Sequence, residues 1–183
     1  IKNLYSNYGF EINWNDLNSY LEIIRRIKPA IRLFPLSGHN TLRAAVNGYE
    51  NTPLSETKLL KMCGILSEQL AAGSPGLSSG LLYVPGIFAD AGELNALMRT
   101  LAKYDKVYTT HLRSEGNKLF ESLEETLYLA EEAGLKKVLI SHLKTAGMDN
   151  FHKLDGALEL IRSYREQGMD VRFDRYPYIE SQT

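Results

Sequence analysis

Apolar residues recur along this chain at two alternating spacings, one of helical period and one of short unbroken runs. Leu17, Tyr20, Leu21, Ile24 and Ile27 share one face of a helix over 14–27, with Asn13 or Asn15 as its cap and Pro29 as its stop. An apolar run over 31–37, broken by Gly38 and His39, predicts a strand, and Thr52-Pro53 opens a second helix that ends near Gly73. A glycine-rich strand or extended loop covers 76–83. Asp90 or Glu93 starts the next helix, with Leu94, Leu97, Met98 and Leu101 inward, and a strand over 106–110 follows it. The helix over 119–133 stops at Gly134. A strand over 137–141, a helix over 155–167 closed by Gly168, and a strand over 171–176 complete the order.

Strands and helices that alternate this regularly require a largely parallel sheet, because each strand must be carried back to the same edge by the helix between. The predicted class is α/β, with about five parallel strands alternating with helices. A complete TIM-like (β/α)8 barrel takes about 250 residues. Residues 1–183 therefore read as a single segment of a partial barrel, lacking its first strands and its last. No Gly-x-Gly-x-x-Gly follows a first strand, which disfavours a dinucleotide-binding fold. No linker or low-complexity tract divides the chain.

Composition narrows the function classes. At 44% hydrophobic over 183 residues, the chain can bury one sizeable core. Its 21 basic and 22 acidic residues nearly cancel, so it offers no electrostatic footprint for nucleic acid or an anionic membrane. No apolar run has the length of a membrane span and no signal-peptide pattern is present, so the expected location is cytoplasmic. Cys63, the only cysteine, lies in the helical pattern Leu59, Leu60, Cys63, Leu66, Leu70 and reads as a small buried hydrophobe.

The candidate chemistry lies at strand ends. Val107-Tyr108-Thr109-Thr110-His111 and Val138-Leu139-Ile140-Ser141-His142 each place a histidine where a hydrophobic strand runs out. With a helix between them, the two strands form one βαβ unit and both imidazoles emerge at the carboxyl-terminal edge, where parallel α/β folds bind ligands. Imidazole nitrogen is a preferred ligand for zinc, and the pair points to a metal centre. Lys144, two residues past the second histidine, can hold a carboxylate as a point charge. Tyr176, which closes the last strand, can donate a hydrogen bond to a polarised oxygen. Arg113 and Glu115 read as a loop ion pair, His39 as structural or supporting a site, and His152 carries no assignment.

Gly76-Leu77-Ser78-Ser79-Gly80 matches the Gly-x-Ser-x-Gly pattern of a nucleophile elbow, but its context fails. An elbow needs a strand directly before its serine and a helix directly after. Small residues that let two backbones approach at a barrel strand explain the run better.

Taken together, several segments resemble the N-acyl-D-amino-acid deacylases, the D-aminoacylase branch of the metal-dependent amidohydrolases. They are Trp14 with Leu17, Tyr20 and Leu21; Gly38-His39-Asn40-Thr41-Leu42-Arg43; Gly76 through Tyr83; Thr110-His111-Leu112-Arg113-Ser114-Glu115; Ile140-Ser141-His142-Leu143-Lys144; and Asp174-Arg175-Tyr176-Pro177-Tyr178. The resemblance implies a distorted (β/α) barrel with zinc held by two strand-end histidines, here His111 and His142, and by a cysteine. It implies substrate contacts at Tyr83, Lys144 and Tyr176, with Tyr83 and Lys144 near the amino-acid carboxylate and Tyr176 near the scissile amide. The implied substrate is a small N-acyl-D-amino acid, cleaved to a carboxylate and a free D-amino acid. The family's His-x-His pair, its ligand cysteine and its catalytic aspartate have no counterpart here, and Cys63 does not replace the ligand. The isolated chain is therefore expected to be inactive and to self-associate through exposed strand edges. Other readings are a cyclic amide hydrolase or a non-catalytic, ligand-binding barrel segment.

Overall fold

The computed structural model describes residues 12–178 and residue 180. Five strands pair in the order β1-β2-β3-β4-β5, all parallel: β1 (Ser37–Gly38), β2 (Gly76–Gly80), β3 (Val107–His111), β4 (Lys137–Ile140) and β5 (Asp170–Phe173). Between and before them lie α1 (Leu17–Ile27), α2 (His39–Asn47), α3 (Glu56–Ala71), α4 (Ala91–Lys103), α5 (Leu119–Glu132) and α6 (Leu154–Glu166). The parallel βα alternation expected from the sequence is the observed fold. No described helix is long and apolar enough to cross a membrane.

Strand alternation sorts the sheet into two faces. Leu77, Tyr108, Val138, Ile140 and Val171 are buried and join a core with Leu66, Leu94, Leu97, Met98, Leu123, Leu127 and Ile161 from the helices. From α2 to α6 each helix packs against the next, which makes these five one layer over that face. On the opposite face Ser78, Val107 and Leu139 are only partly buried and Arg172 is exposed. Thr109 alone is buried in that row, between its neighbours Ser78 and Leu139.

Glycine is required where β2 meets β3. A Cβ on Gly76 would lie 2.0 Å from the Val107 carbonyl oxygen, so only hydrogen fits there. The glycine-serine run thus packs strands. Ser78 Oγ donates to the Ser37 carbonyl, and Ser79 Oγ meets Tyr108 OH at 2.6 Å and Thr110 Oγ1 at 2.8 Å. A turn and a short 3-10 segment (Gly86–Phe88) follow β2, so Ser78 has no helix directly behind it.

Several boundaries differ from those expected. Of the run over 31–37 only Ser37 pairs, together with Gly38 after it, and Ile31, Leu33 and Phe34 are exposed. Pro35 lacks a donor, and Pro75 lacks one at the matching point before β2. The stretch over 76–83 ends as a strand at Gly80, which leaves Tyr83 in the following loop. The last strand ends at Phe173 and leaves Tyr176 beyond it. Helix α1 is capped by Asp16, whose side chain accepts from the Ser19 N–H, and not by Asn13 or Asn15. Its apolar face is formed, yet none of its residues is buried and Ile27 is 70% exposed. Cys63 is partly buried against the core.

Helix α2 was not expected, because its inward face is polar. His39, Arg43 and Asn47 recur every four residues and are buried. His39 Nε2 donates to Glu93 Oε1 at 2.7 Å, and Arg43 Nε donates to Glu93 Oε2 at 3.2 Å. The Arg43 guanidinium also reaches the carbonyls of Thr52 at 2.8 Å and Phe88 at 3.4 Å. This network ties α2 to α4 and to the loop that carries Tyr83, which gives His39 a structural role.

Candidate metal and substrate site

His111 is the last residue of β3 and stands in register with Gly80 of β2. Glycine at that point leaves room for the loop that returns Tyr83 over the sheet edge: a Cβ on Gly80 would meet the Tyr83 ring at 2.9 Å. The Tyr83 ring centre lies 5.0 Å from that of His111. His142 sits two residues past β4 with φ 40, in the left-handed region that residues with a Cβ rarely adopt. Asp174 holds it there: its side chain accepts the His142 N–H and its carbonyl accepts the Leu143 N–H at 3.0 Å. Strain fixed by such contacts is common at functional sites.

The two imidazoles meet. His111 Nδ1 is 3.0 Å from His142 Nε2, with ring centres 4.6 Å apart and nearly edge-on. Glu115, in the loop after β3, accepts from His142 Nδ1 at 2.8 Å through one oxygen and from Lys144 Nζ at 2.6 Å through the other. Lys144 Nζ also donates to the His142 carbonyl at 3.2 Å and lies 5.4 Å from the Tyr176 ring centre. The Tyr176 ring is 6.3 Å from that of His142. The structure therefore brings Tyr83, His111, His142, Lys144 and Tyr176 to one corner of the carboxyl edge.

Glu115 is the residue that sequence reasoning missed. Read as the ion-pair partner of Arg113, it pairs instead with His142 and Lys144. Arg113 binds Glu125 of α5 through two 3.0 Å contacts and donates to the carbonyls of Ile87 and Ala89. That second clamp holds the Tyr83 loop from the side opposite Arg43. No local pattern signals the Glu115 contacts, because they span 27 and 29 residues of sequence.

The donor set suits zinc. His111, Glu115 and His142 each offer a ligand atom within 4.8 Å of the others. Zinc binds imidazole nitrogen at about 2.0–2.1 Å, which places two tetrahedral ligands roughly 3.4 Å apart. The observed 3.0 Å needs only a few tenths of an ångström of widening. Burial pushes the His111 imidazole below its ordinary pKa; Glu115 opposes that shift, and the neighbouring His142 and Lys144 reinforce it. The neutral, ligand-competent ring is favoured.

The described residues thus form a five-stranded parallel β/α sheet with two imidazoles meeting at its carboxyl edge. No family model matches the chain. Individual proteins do. It is 33% identical over 164 residues to D-aminoacylase of Alcaligenes xylosoxydans xylosoxydans, covering 90% of this chain and 34% of that protein. The structure of N-acyl-D-glutamate deacylase from Bordetella bronchiseptica, complexed with zinc and a phosphonate mimic of the tetrahedral intermediate, superposes with a TM-score of 0.86 at 32% identity. That match covers 89% of this chain and 34% of the other. A D-aminoacylase structure that defines a subset of the amidohydrolases gives a TM-score of 0.84 at 34% identity, over 90% of this chain and 34% of its own. The chain is similar to these deacylases over nearly all its own length and spans about a third of theirs.

Proposed function

We propose that this chain is one segment of the barrel of a zinc-dependent hydrolase that cleaves N-acyl-D-amino acids to a carboxylate and a free D-amino acid. The observation that carries the reading is the 3.0 Å approach of His111 Nδ1 to His142 Nε2 at the ends of consecutive parallel strands. The homologues' covering of nearly all this chain supports it, and so does the zinc named in the Bordetella structure. In this reading His111 and His142 hold the metal, with its remaining ligands drawn from other segments of the same protein. Bound zinc supplies a Lewis acid for the amide carbonyl and lowers the pKa of water from about 15.7 toward 7.

The remaining roles belong to the side chains around the pair. Lys144 binds the substrate carboxylate: an ammonium has three donors, and Glu115 and the His142 carbonyl occupy two. Tyr83 stands over His111 on a loop clamped by Arg43 and Arg113 and borders the same carboxylate. Tyr176, whose ring centre lies 6.3 Å from that of His142, donates its hydroxyl hydrogen to the amide oxygen in this reading as negative charge develops there. The test uses the complete protein, dialysed and assayed for bound zinc and for release of D-amino acid from N-acetyl-D-amino acids. His111→Ala and His142→Ala should each lose zinc and turnover. Zinc content and turnover at the wild-type level in both variants would overturn the assignment.

A further inference from the structure

Three groups surround His142 with an ion's worth of donor atoms, yet they lie on two different sides of its ring. Nε2 faces His111 at 3.0 Å, whereas Nδ1 faces Glu115 at 2.8 Å. One imidazole nitrogen cannot serve both directions. An ionised carboxylate only accepts, so Nδ1 carries the hydrogen in that contact and the lone pair is left on Nε2, toward His111. Because Nδ1 donates there, the 3.1 Å approach of Lys144 Nζ to the same atom is a contact within a triangle centred on Glu115 and not a second hydrogen bond. The second oxygen of Glu115 holds Nζ at 2.6 Å. Glu115 and Lys144 are both largely buried, with side chains 11% and 14% exposed, so solvent does little to screen the pair.

We propose that Glu115 is a positioning residue and not a third metal ligand: one carboxylate oxygen fixes the tautomer and orientation of His142, and the other fixes Lys144 for the substrate carboxylate. This rests on the reading of His111 and His142 as metal-holding and of Lys144 as substrate-binding. It adds a link between the two halves of the site. The same anion orients the group that grips the metal and the group that grips the substrate, so its loss disturbs both together. The carboxylate also makes the His142 ring a stronger donor, as partners to the remote nitrogen of a metal-bound histidine generally do.

The test is Glu115→Gln in the complete protein, a near-isosteric change that keeps an acceptor and removes the charge. Zinc affinity, measured by competition with a chelator, should fall about 10- to 100-fold, the usual cost of losing such a partner. The zinc-edge X-ray absorption spectrum of the zinc-saturated variant should show an unchanged set of ligands. The KM for an N-acetyl-D-amino acid should rise more than that for the corresponding amide, which lacks the carboxylate. Wild-type zinc affinity with an unaltered KM ratio, or loss of an oxygen ligand from the spectrum, would overturn the proposal. Failure of the underlying reading looks different. There, His111→Ala and His142→Ala retain zinc, whereas here they lose it whatever Glu115→Gln does.

Discussion

Glu93→Ala gives the sharpest test of how the scaffold under this site is held. Glu93 shares its carboxylate between His39 Nε2 at 2.7 Å and Arg43 Nε at 3.2 Å, and the Arg43 and Glu93 side chains are 0% and 2% exposed. At 3.2 Å and an effective dielectric of about 20, the attraction between the two unit charges is about 5 kcal/mol. Truncation removes that attraction and leaves a guanidinium in the interior, a change that costs about 3–5 kcal/mol when a buried pair is broken from one side. The carbonyls of Thr52 and Phe88 still accept from Arg43, which places the loss toward the lower end. In urea, with a slope of about 2 kcal/mol per molar, the unfolding midpoint should drop by about 1.5–2 M. The reference is Glu125→Ala, which breaks a pair with Arg113 whose side chains are 25% and 28% exposed and which should cost about 1 kcal/mol. Equilibrium unfolding followed by far-ultraviolet circular dichroism measures both. Equal midpoints for the two variants would refute the idea that the buried anion holds α2 against α4.

Two further outcomes follow from the geometry. In the complete protein, Lys144→Ala should raise KM about 10- to 150-fold for an N-acetyl-D-amino acid, the equivalent of one charge-assisted hydrogen bond of about 1.5–3 kcal/mol. The corresponding amide should be much less affected, and an equal loss for both substrates in parallel assays would reject the role. Gly76→Ala places a methyl group 2.0 Å from the Val107 carbonyl oxygen, so β2 and β3 must separate. The expected result is a loss of more than about 3 kcal/mol by urea denaturation, and a near-wild-type midpoint would show that the strands part at little cost.

What the sequence discloses depends on whether the relevant contacts follow a period. The strands β3 and β4 and their terminal histidines were legible because an apolar run followed by a polar residue marks both a buried strand and where it ends. Cys63 was legible from the helical spacing of its apolar neighbours, and it packs partly buried against the core. Helix α2 was not, because hydrophobic periodicity cannot detect a helix that buries His39, Arg43 and Asn47 beside a single apolar residue, Leu42. Glu115 was out of reach for a different cause: proximity in sequence favoured Arg113, and the fold gave Arg113 to Glu125. The run over 31–37 looked like a strand by composition, but pairing needs donors on both sides, and Pro35 and Pro75 supply none.

The site corner is built by continuing the sheet's ladder past the strands that define it. Ser141 N donates to the Thr110 carbonyl at 2.9 Å, Asp174 N to the Ile140 carbonyl at 3.2 Å, and Leu143 N to the Asp174 carbonyl at 3.0 Å. Ala146 N closes on the Glu115 carbonyl at 2.7 Å, which joins the loops after β3 and β4. His142, Lys144 and Glu115 are thus pinned through their own backbone or a neighbour's, and Asp174 accepts the N–H of His142, the residue with positive φ. Side chains held this way need little reorganisation to receive an ion or a carboxylate, which is the condition under which fixed dipoles and charges contribute most. The approach of the two histidines is consequently encoded in these five strands and their loops by local register.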